Sequence, residues 1–301
     1  MTKELLNLRG IITVLNTPFT SNDHIDIPSL QRNVLRALDA GVSGFLVPAM
    51  ASEVGKLTAD ERRRMVQSVI EAAGGRAPVI GGASAADEAA RVAAAETLLA
   101  LGCEGVLVNI PYTSDAQYAR DARQIAALNP GFLMIQDWDA AGFGAPVPLI
   151  ARLFDEIDCF RSLKVEVVLA GVKYTQVLEA TRGRLHVCGG WAVMQMIEAL
   201  DRGVHGFMPT AMHEIYTRIY SLYTQGDRPA AQALFERLLP VLAFSNQHLD
   251  ISIHFFKRLL HAEGIYTTPR TRSPILSFDA THEALTANLI RRVGEITASL
   301  G

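Results

Sequence analysis

The chain has 301 residues, 49% of them hydrophobic and 20% charged. So much apolar surface excludes disorder as the main state. A net charge of -3 excludes the strongly basic footprint of a nucleic-acid binder. In chain order, short apolar runs of strand length fall at Ile11–Leu15, Gly44–Pro48, Pro78–Gly81, Gly105–Ile110, Phe132–Gln136, Leu163–Val168, Leu185–Cys188 and Gly206–Pro209. They are almost continuously apolar, as strands buried on both faces should be. Stretches of helical period separate them, such as Pro28–Ala40, Ala59–Ala73 and Ala86–Leu101.

Eight alternating βα units predict an α/β fold, the closed (β/α)8 TIM barrel. A repeat supports the count: Gly41-Val-Ser-Gly44, Gly102-Cys-Glu-Gly105 and Gly203-Val-His-Gly206 share one corner. In each, the first glycine closes a helix in the left-handed region and the second opens a strand. After Thr210 the pattern becomes helical only, over Glu214–Thr224, Arg228–Ser245, Leu249–Ala262 and Thr281–Leu300. The barrel is thus expected over residues 1–225 and a C-terminal helical extension over 226–301. An open doubly wound sheet is the alternative, weakened because no Gly-x-Gly-x-x-Gly follows the first strand.

Barrel enzymes carry their reactive groups at the C-terminal strand ends. The sixth strand stands out there: Lys164 and Glu166 lie two apart in an apolar run, so they project to one face about 6.6 Å apart along the strand. Val165 and Val167 take the other. An unperturbed lysine with a pKa of about 10.4 is free amine only about one part in 2,500 at pH 7. Desolvation lowers that pKa and makes the amine a nucleophile toward a carbonyl. Glu166 would stabilise the ammonium or move a proton. The bland alternative is an ion pair that fills the barrel.

The loop after the second strand, Ala49-Met50-Ala51-Ser52-Glu53, offers Ser52 as a donor to a carboxylate and Glu53 as a brace; it reads equally as a helix cap. Gln136-Asp137-Trp138-Asp139 is expected as a loop after the fifth strand, where a substrate hydroxyl is read. Gly189-Gly190 after the seventh would let backbone approach a ligand. Ala51, Ser52, Glu53, Gln136, Asp137 and Gly190 are accordingly the candidate substrate-binding residues, with Lys164 and Glu166 as the catalytic pair.

With those residues in view the chain resembles the dihydrodipicolinate synthase and N-acetylneuraminate lyase family almost end to end. The likeness runs through Gly10-Ile-Ile-Thr-Val-Leu-Asn-Thr17-Pro18-Phe19, Asn109-Ile-Pro111-Tyr112, the sixth-strand lysine and Lys257…Gly264…Pro269. The resemblance implies a TIM barrel with a helical extension, a homodimer or homotetramer, no cofactor, and a Schiff base from Lys164 to pyruvate or another 2-keto acid. Both threonines of the family's Gly-Thr-Thr-Gly-Glu loop are missing, and the fifth-strand tyrosine falls at Gln136. Trp138–Gly142 holds no arginine, and the second tyrosine after Pro111 is Thr113. Those departures argue against lysine biosynthesis and sialic acid cleavage. The set Ser52-Glu53, Gln136-Asp137 and Lys164-x-Glu166 is similar instead to the branch typified by 2-keto-3-deoxy-arabonate dehydratase. There the glutamate takes over acid/base work. A pyruvate aldolase and a non-catalytic keto-acid-binding barrel are the alternatives.

Other chemistries fit less well. Three widely spaced cysteines, Cys103, Cys159 and Cys188, make neither a disulfide framework nor a metal cluster. None of the eight histidines forms a His-Glu-x-x-His, and no metal site is expected. Pro209-Thr210 lacks the glycines of a phosphate loop, and Ser52 lacks a Gly-x-Ser-x-Gly elbow. The opening MTKELLNLRG carries no apolar signal, and no apolar run nears the roughly 20 residues of a membrane span. A cytoplasmic enzyme without membrane or nucleic-acid partners is expected.

Overall fold

The computed structural model describes residues 5–300, so the first four residues of the opening read above lie outside it. The eight strands are β1 (Gly10–Val14), β2 (Gly44–Leu46), β3 (Val79–Gly82), β4 (Gly105–Asn109), β5 (Phe132–Asp139), β6 (Phe160–Val167), β7 (His186–Gly189) and β8 (Gly206–Phe207). They follow one another in sequence order around a closed parallel barrel. Eleven α-helices accompany them among the described residues, so the expected (β/α)8 barrel with C-terminal helices is present. The repeated corner behaves as its glycines require: Gly41, Gly102 and Gly203 have φ of +83°, +99° and +86°, and β2, β4 and β8 begin three residues later.

By contacts the chain divides into two compact units. The first comprises the segment through Ile12 together with Pro78–Met208. It holds a contiguous sheet from β3 to β8, with Gly10 and Ile11 of β1 paired to Gly206 and Phe207. Its helices are α3 (Glu88–Ala100), α4 (Asp115–Ala126), α5 (Val147–Glu156), α6 (Ala170–Ala180) and α7 (Met196–Asp201). Asp87 and Ser114 cap α3 and α4 by accepting from amides in their first turns.

The second unit comprises Thr13–Ala77 and the chain from Pro209 on. It holds β2, α1 (Ile27–Asp39), α2 (Ala59–Ala73), α8 (His213–Thr224), α9 (Arg228–Ser245), α10 (Leu249–Ala262) and α11 (Ala280–Ala298). Thr58 and Glu61 form a reciprocal capping box at the start of α2. Helix α9 packs on α8, α10 and α11, around buried Leu234, Leu238, Val241 and Leu242. The expected limit at residue 225 lies inside this unit.

Candidate active site

β6 is an apolar strand interrupted by two charges, and its pairing with β5 explains where they point. The register pairs Leu133 with Phe160 but Met134 with Ser162, so Arg161 is an extra residue that bulges from β6. Beyond the bulge, Met134, Gln136 and Trp138 lie beside Ser162, Lys164 and Glu166, and Asp137 lies beside Val165. Alternation therefore gives one row of Gln136, Lys164 and Glu166, and an opposite row carrying Asp137.

The side chains follow that division. Lys164 Nζ stands 3.2 Å from Glu166 Oε2, both side chains keeping 10% of their surface exposed. Gln136 Nε2 donates to the same Oε2 at 2.5 Å. Gly190, just past β7, closes in on the pair: a β-carbon there would overlap the Glu166 carboxylate and come within 3.0 Å of Lys164 Cε. Its φ of -77° suits any residue, so the glycine is required for space, not for backbone conformation. The side chain of Trp191 lies outside the described part.

Below the pair the same face stays polar. Lys164 is in register with Cys188, and Ser162 with His186. His186 Nε2 lies 3.1 Å from Leu8 O. A carbonyl only accepts, so Nε2 carries the proton and Nδ1 accepts from Ser162 Oγ at 2.8 Å. Burial holds His186 neutral, lowering its pKa to about 3, and pushes the Cys188 thiol up to about 12 against the pull of Lys164.

Asp137 is not brought to Lys164. Because β5 runs on to Asp139 instead of ending at Gln136, the expected loop is strand, and alternation turns Asp137 toward α6. There it lies 3.0 Å from Lys173 Nζ and accepts from Ala145 N at 2.8 Å. Burial raises the Asp137 carboxyl and lowers Lys173, each opposed by its partner. Lys173 also donates to Phe143 O at 2.7 Å and to Ala145 O. Together they fix the segment after β5, whose start is held by Asp139 accepting from the Ala141 and Gly142 amides. Sequence reasoning misses this pairing with Lys173, because nothing local announces that β5 continues to Asp139.

The loop after β2 belongs to the second unit. Ser52 Oγ donates to Leu15 O at 2.5 Å and accepts from Ala49 N at 2.9 Å. Glu53, at φ +56°, is buried against Lys257 of α10 and also meets Lys56 Nζ at 3.1 Å and Arg272 N at 3.0 Å. The brace foreseen for Glu53 is thus mainly an ion pair to the helical extension. Burial lowers Lys257 to about 8 despite the carboxylate. Ala51 O accepts from Asn16 Nδ2 at 2.6 Å. Among the described residues, no group of three His, Cys, Asp or Glu is placed to hold a metal ion, and no helix is long and apolar enough to cross a membrane.

A match to the dihydrodipicolinate synthetase family runs over residues 7–292. The chain belongs to that family. Among the relatives of this family member is the L-2-keto-3-deoxyarabonate dehydratase of Azospirillum brasilense, 28% identical over 283 residues, covering 89% of this chain and 88% of the relative. The 4-hydroxy-tetrahydrodipicolinate synthase of Mycolicibacterium paratuberculosis is also 28% identical, over 243 residues, covering 78% and 79%. The solved dihydrodipicolinate synthase of Rhodopseudomonas palustris superimposes with a TM-score of 0.87 at 22% identity, covering 97% of this chain and 99% of that one. At that identity the superposition speaks for the shared fold. The family resemblance read from the sequence is therefore correct, and the chain is a lyase or synthase in the coarse sense that family implies.

Proposed function

We propose that the chain is a Schiff-base-forming lyase whose substrate is a 2-keto acid, and that its main reaction is dehydration of a 2-keto-3-deoxy sugar acid. One observation carries the reading: among the described residues, Lys164 Nζ has Glu166 as its one ion-pair partner. The ammonium has three N–H donors; passing one proton to the adjacent Glu166 carboxylate leaves a nitrogen lone pair that can attack a carbonyl carbon. Lys164 condenses with the C2 ketone, expelling water and forming an iminium. The cationic nitrogen withdraws electrons and acidifies the proton on C3. C3 is two bonds from Nζ, and the Glu166 carboxylate beside that nitrogen is in reach as the base. Loss of the C4 hydroxyl as water and hydrolysis of the iminium complete the turnover.

Gln136 replaces the phenol expected at this position of the family. A carboxamide has no proton to relay, which favours a glutamate-driven dehydration over a tyrosine-assisted aldol step. Pyruvate aldolase chemistry is the second reading, favoured by the synthases among the relatives. Ala51, Ser52 and Glu53 enter the proposal as a substrate-binding loop held in shape by its own hydrogen bonds, Asp137 as a positioning group, and Gly190 as space beside the amine. The same reading carries a cytoplasmic homodimer or homotetramer. Incubation with pyruvate or a 2-keto-3-deoxy acid, then borohydride and peptide mass mapping, tests it. The reduced adduct should sit on the peptide carrying Lys164 and vanish in Lys164→Ala; an adduct on Lys173 or Lys56 would refute it.

A further inference from the structure

The two oxygens of Glu166 are in different situations. Oε2 is anchored, accepting from Gln136 at 2.5 Å and facing Lys164 Nζ at 3.2 Å. Oε1 meets no donor among the described residues and occupies the space that the missing side chain of Gly190 leaves open. A carboxylate pinned through one oxygen can swing the other only over a short arc. Neither neighbour can act as a second acid. Gln136 has no dissociable proton, and Lys164 is the iminium nitrogen during the reaction.

We infer that the single free oxygen of Glu166 both removes the C3 proton and delivers it to the C4 hydroxyl, so that water is lost in a syn elimination. This rests on the dehydratase reading above and adds its stereochemistry and substrate class, a 2-keto-3-deoxy acid of one C4 configuration. The proton balance closes without any co-reactant. Glu166 takes H⁺ from C3, and the C–H electron pair forms the C2=C3 bond of the enamine while the C2=N bond becomes single. The carboxylic acid so formed returns that proton to the C4 oxygen. The C4–O bond breaks with its electrons, water leaves, and the nitrogen lone pair restores an iminium now conjugated with C3=C4. Hydrolysis frees Lys164. One oxygen can do both only if the C3 hydrogen and the C4 hydroxyl each come within about 2.6–3.2 Å of it, which requires them on the same face of the substrate.

Two experiments on the wild-type protein test this. The first uses the two substrates carrying one deuterium at C3, in either configuration, at fixed C4 configuration. Product mass should show deuterium lost from the isomer in which it lies syn to the departing hydroxyl and retained in the other. The reverse pattern is anti elimination and overturns the inference while leaving the dehydratase intact. Loss of water from neither isomer ends the dehydratase reading itself, and this inference with it. The second compares C4 epimers in D2O. C3 exchange should proceed within about 3-fold for both, whereas water loss from the disfavoured epimer should fall at least about 100-fold. Equal dehydration of both epimers means that a second acid serves the opposite face, and overturns the proposal.

Discussion

Two buried lysines nine residues apart in the first unit meet opposite surroundings. Lys173 is fully buried and saturated: Asp137 at 3.0 Å, the carbonyls of Phe143 and Ala145, and the Phe143 ring 4.7 Å from the ammonium. Lys164 is nearly as buried, at 8% exposure, yet among the described residues it has one carboxylate at 3.2 Å and no carbonyl partner. A cation removed from water needs its hydrogen bonds replaced. Lys173 has them replaced and is held in place; Lys164 keeps N–H donors unmatched among the described residues beside a carboxylate. Burial alone therefore does not separate the two lysines; what separates them is how far their hydrogen-bonding capacity is met. In the second unit Lys257 repeats the saturated pattern with Glu53, Arg270 O at 2.9 Å and the Phe19 ring at 4.2 Å.

The largest expected effect breaks the saturated member. Lys173→Met strands Asp137 in a buried position and should cost about 3–5 kcal/mol of folding stability, measured by urea unfolding. The double variant Asp137→Leu with Lys173→Met removes both charges and should recover most of that loss. Folded protein of either kind should still be trapped by borohydride at Lys164. Loss of the adduct in a well-folded double variant would show that Lys173 takes part in the chemistry, and the contrast between the two lysines would fail.

That contrast was only half legible in the sequence. The period-2 placement of Lys164 and Glu166 in an apolar run is local, and the strand keeps it. So are the Gly-x-x-Gly corners and the helices Ala59–Ala73, Arg228–Ser245 and Leu249–Ala262, whose limits match the expectation. The segment carrying Asp137 is strand instead of the expected loop because the length of β5 depends on pairing with β6 through Asp139↔Val167, which no local pattern in a polar Gln-Asp-Trp-Asp run reveals. The Glu53–Lys257 pair spans 204 residues, and one sequence contains nothing that links such partners. Gly190 is expected as a close approach to a ligand, and in the structure its near neighbours are Glu166 and Lys164.

A smaller effect sharpens the unsaturated member. Gly190→Ala should fold almost normally, since the backbone there suits alanine, while its β-carbon displaces the Glu166 carboxylate from the amine. A misplacement on the order of 1 Å can cost about 100-fold, so kcat should fall by about that factor. Adduct formation, which needs Lys164 more than Glu166, should slow less. Equal slowing of trapping and turnover would mean that the space serves Lys164 alone and that the carboxylate's position is immaterial.

The smallest effect concerns a buried group that remains neutral by the same rule of satisfaction. In the second unit His213 Nε2 is 3.3 Å from Asn33 Oδ1, and Nδ1 is 3.1 Å from Thr13 Oγ1. An amide oxygen only accepts, so Nε2 carries the hydrogen and Nδ1 accepts from the threonine; the neutral ring is fully paired. Burial, with a lesser contribution from Arg36, lowers its pKa from 6.5 to about 3. The unfolded chain then binds the proton more readily than the folded one between those two values. Stability from this group is complete above pH 6.5 and falls as the pH drops toward 3, by up to about 1.4 kcal/mol per pH unit. His186 and His205, lowered to about 3 and about 4, act with the same sign. His213→Asn should therefore lose stability at neutral pH yet show a shallower acid slope, by about one proton, in unfolding measured from about pH 7 to pH 4. An unchanged slope would mean that His213 is already charged or reached by water in the folded state. Satisfaction of buried groups would then be a poor guide to their protonation here, and to the contrast between Lys164 and Lys173 as well.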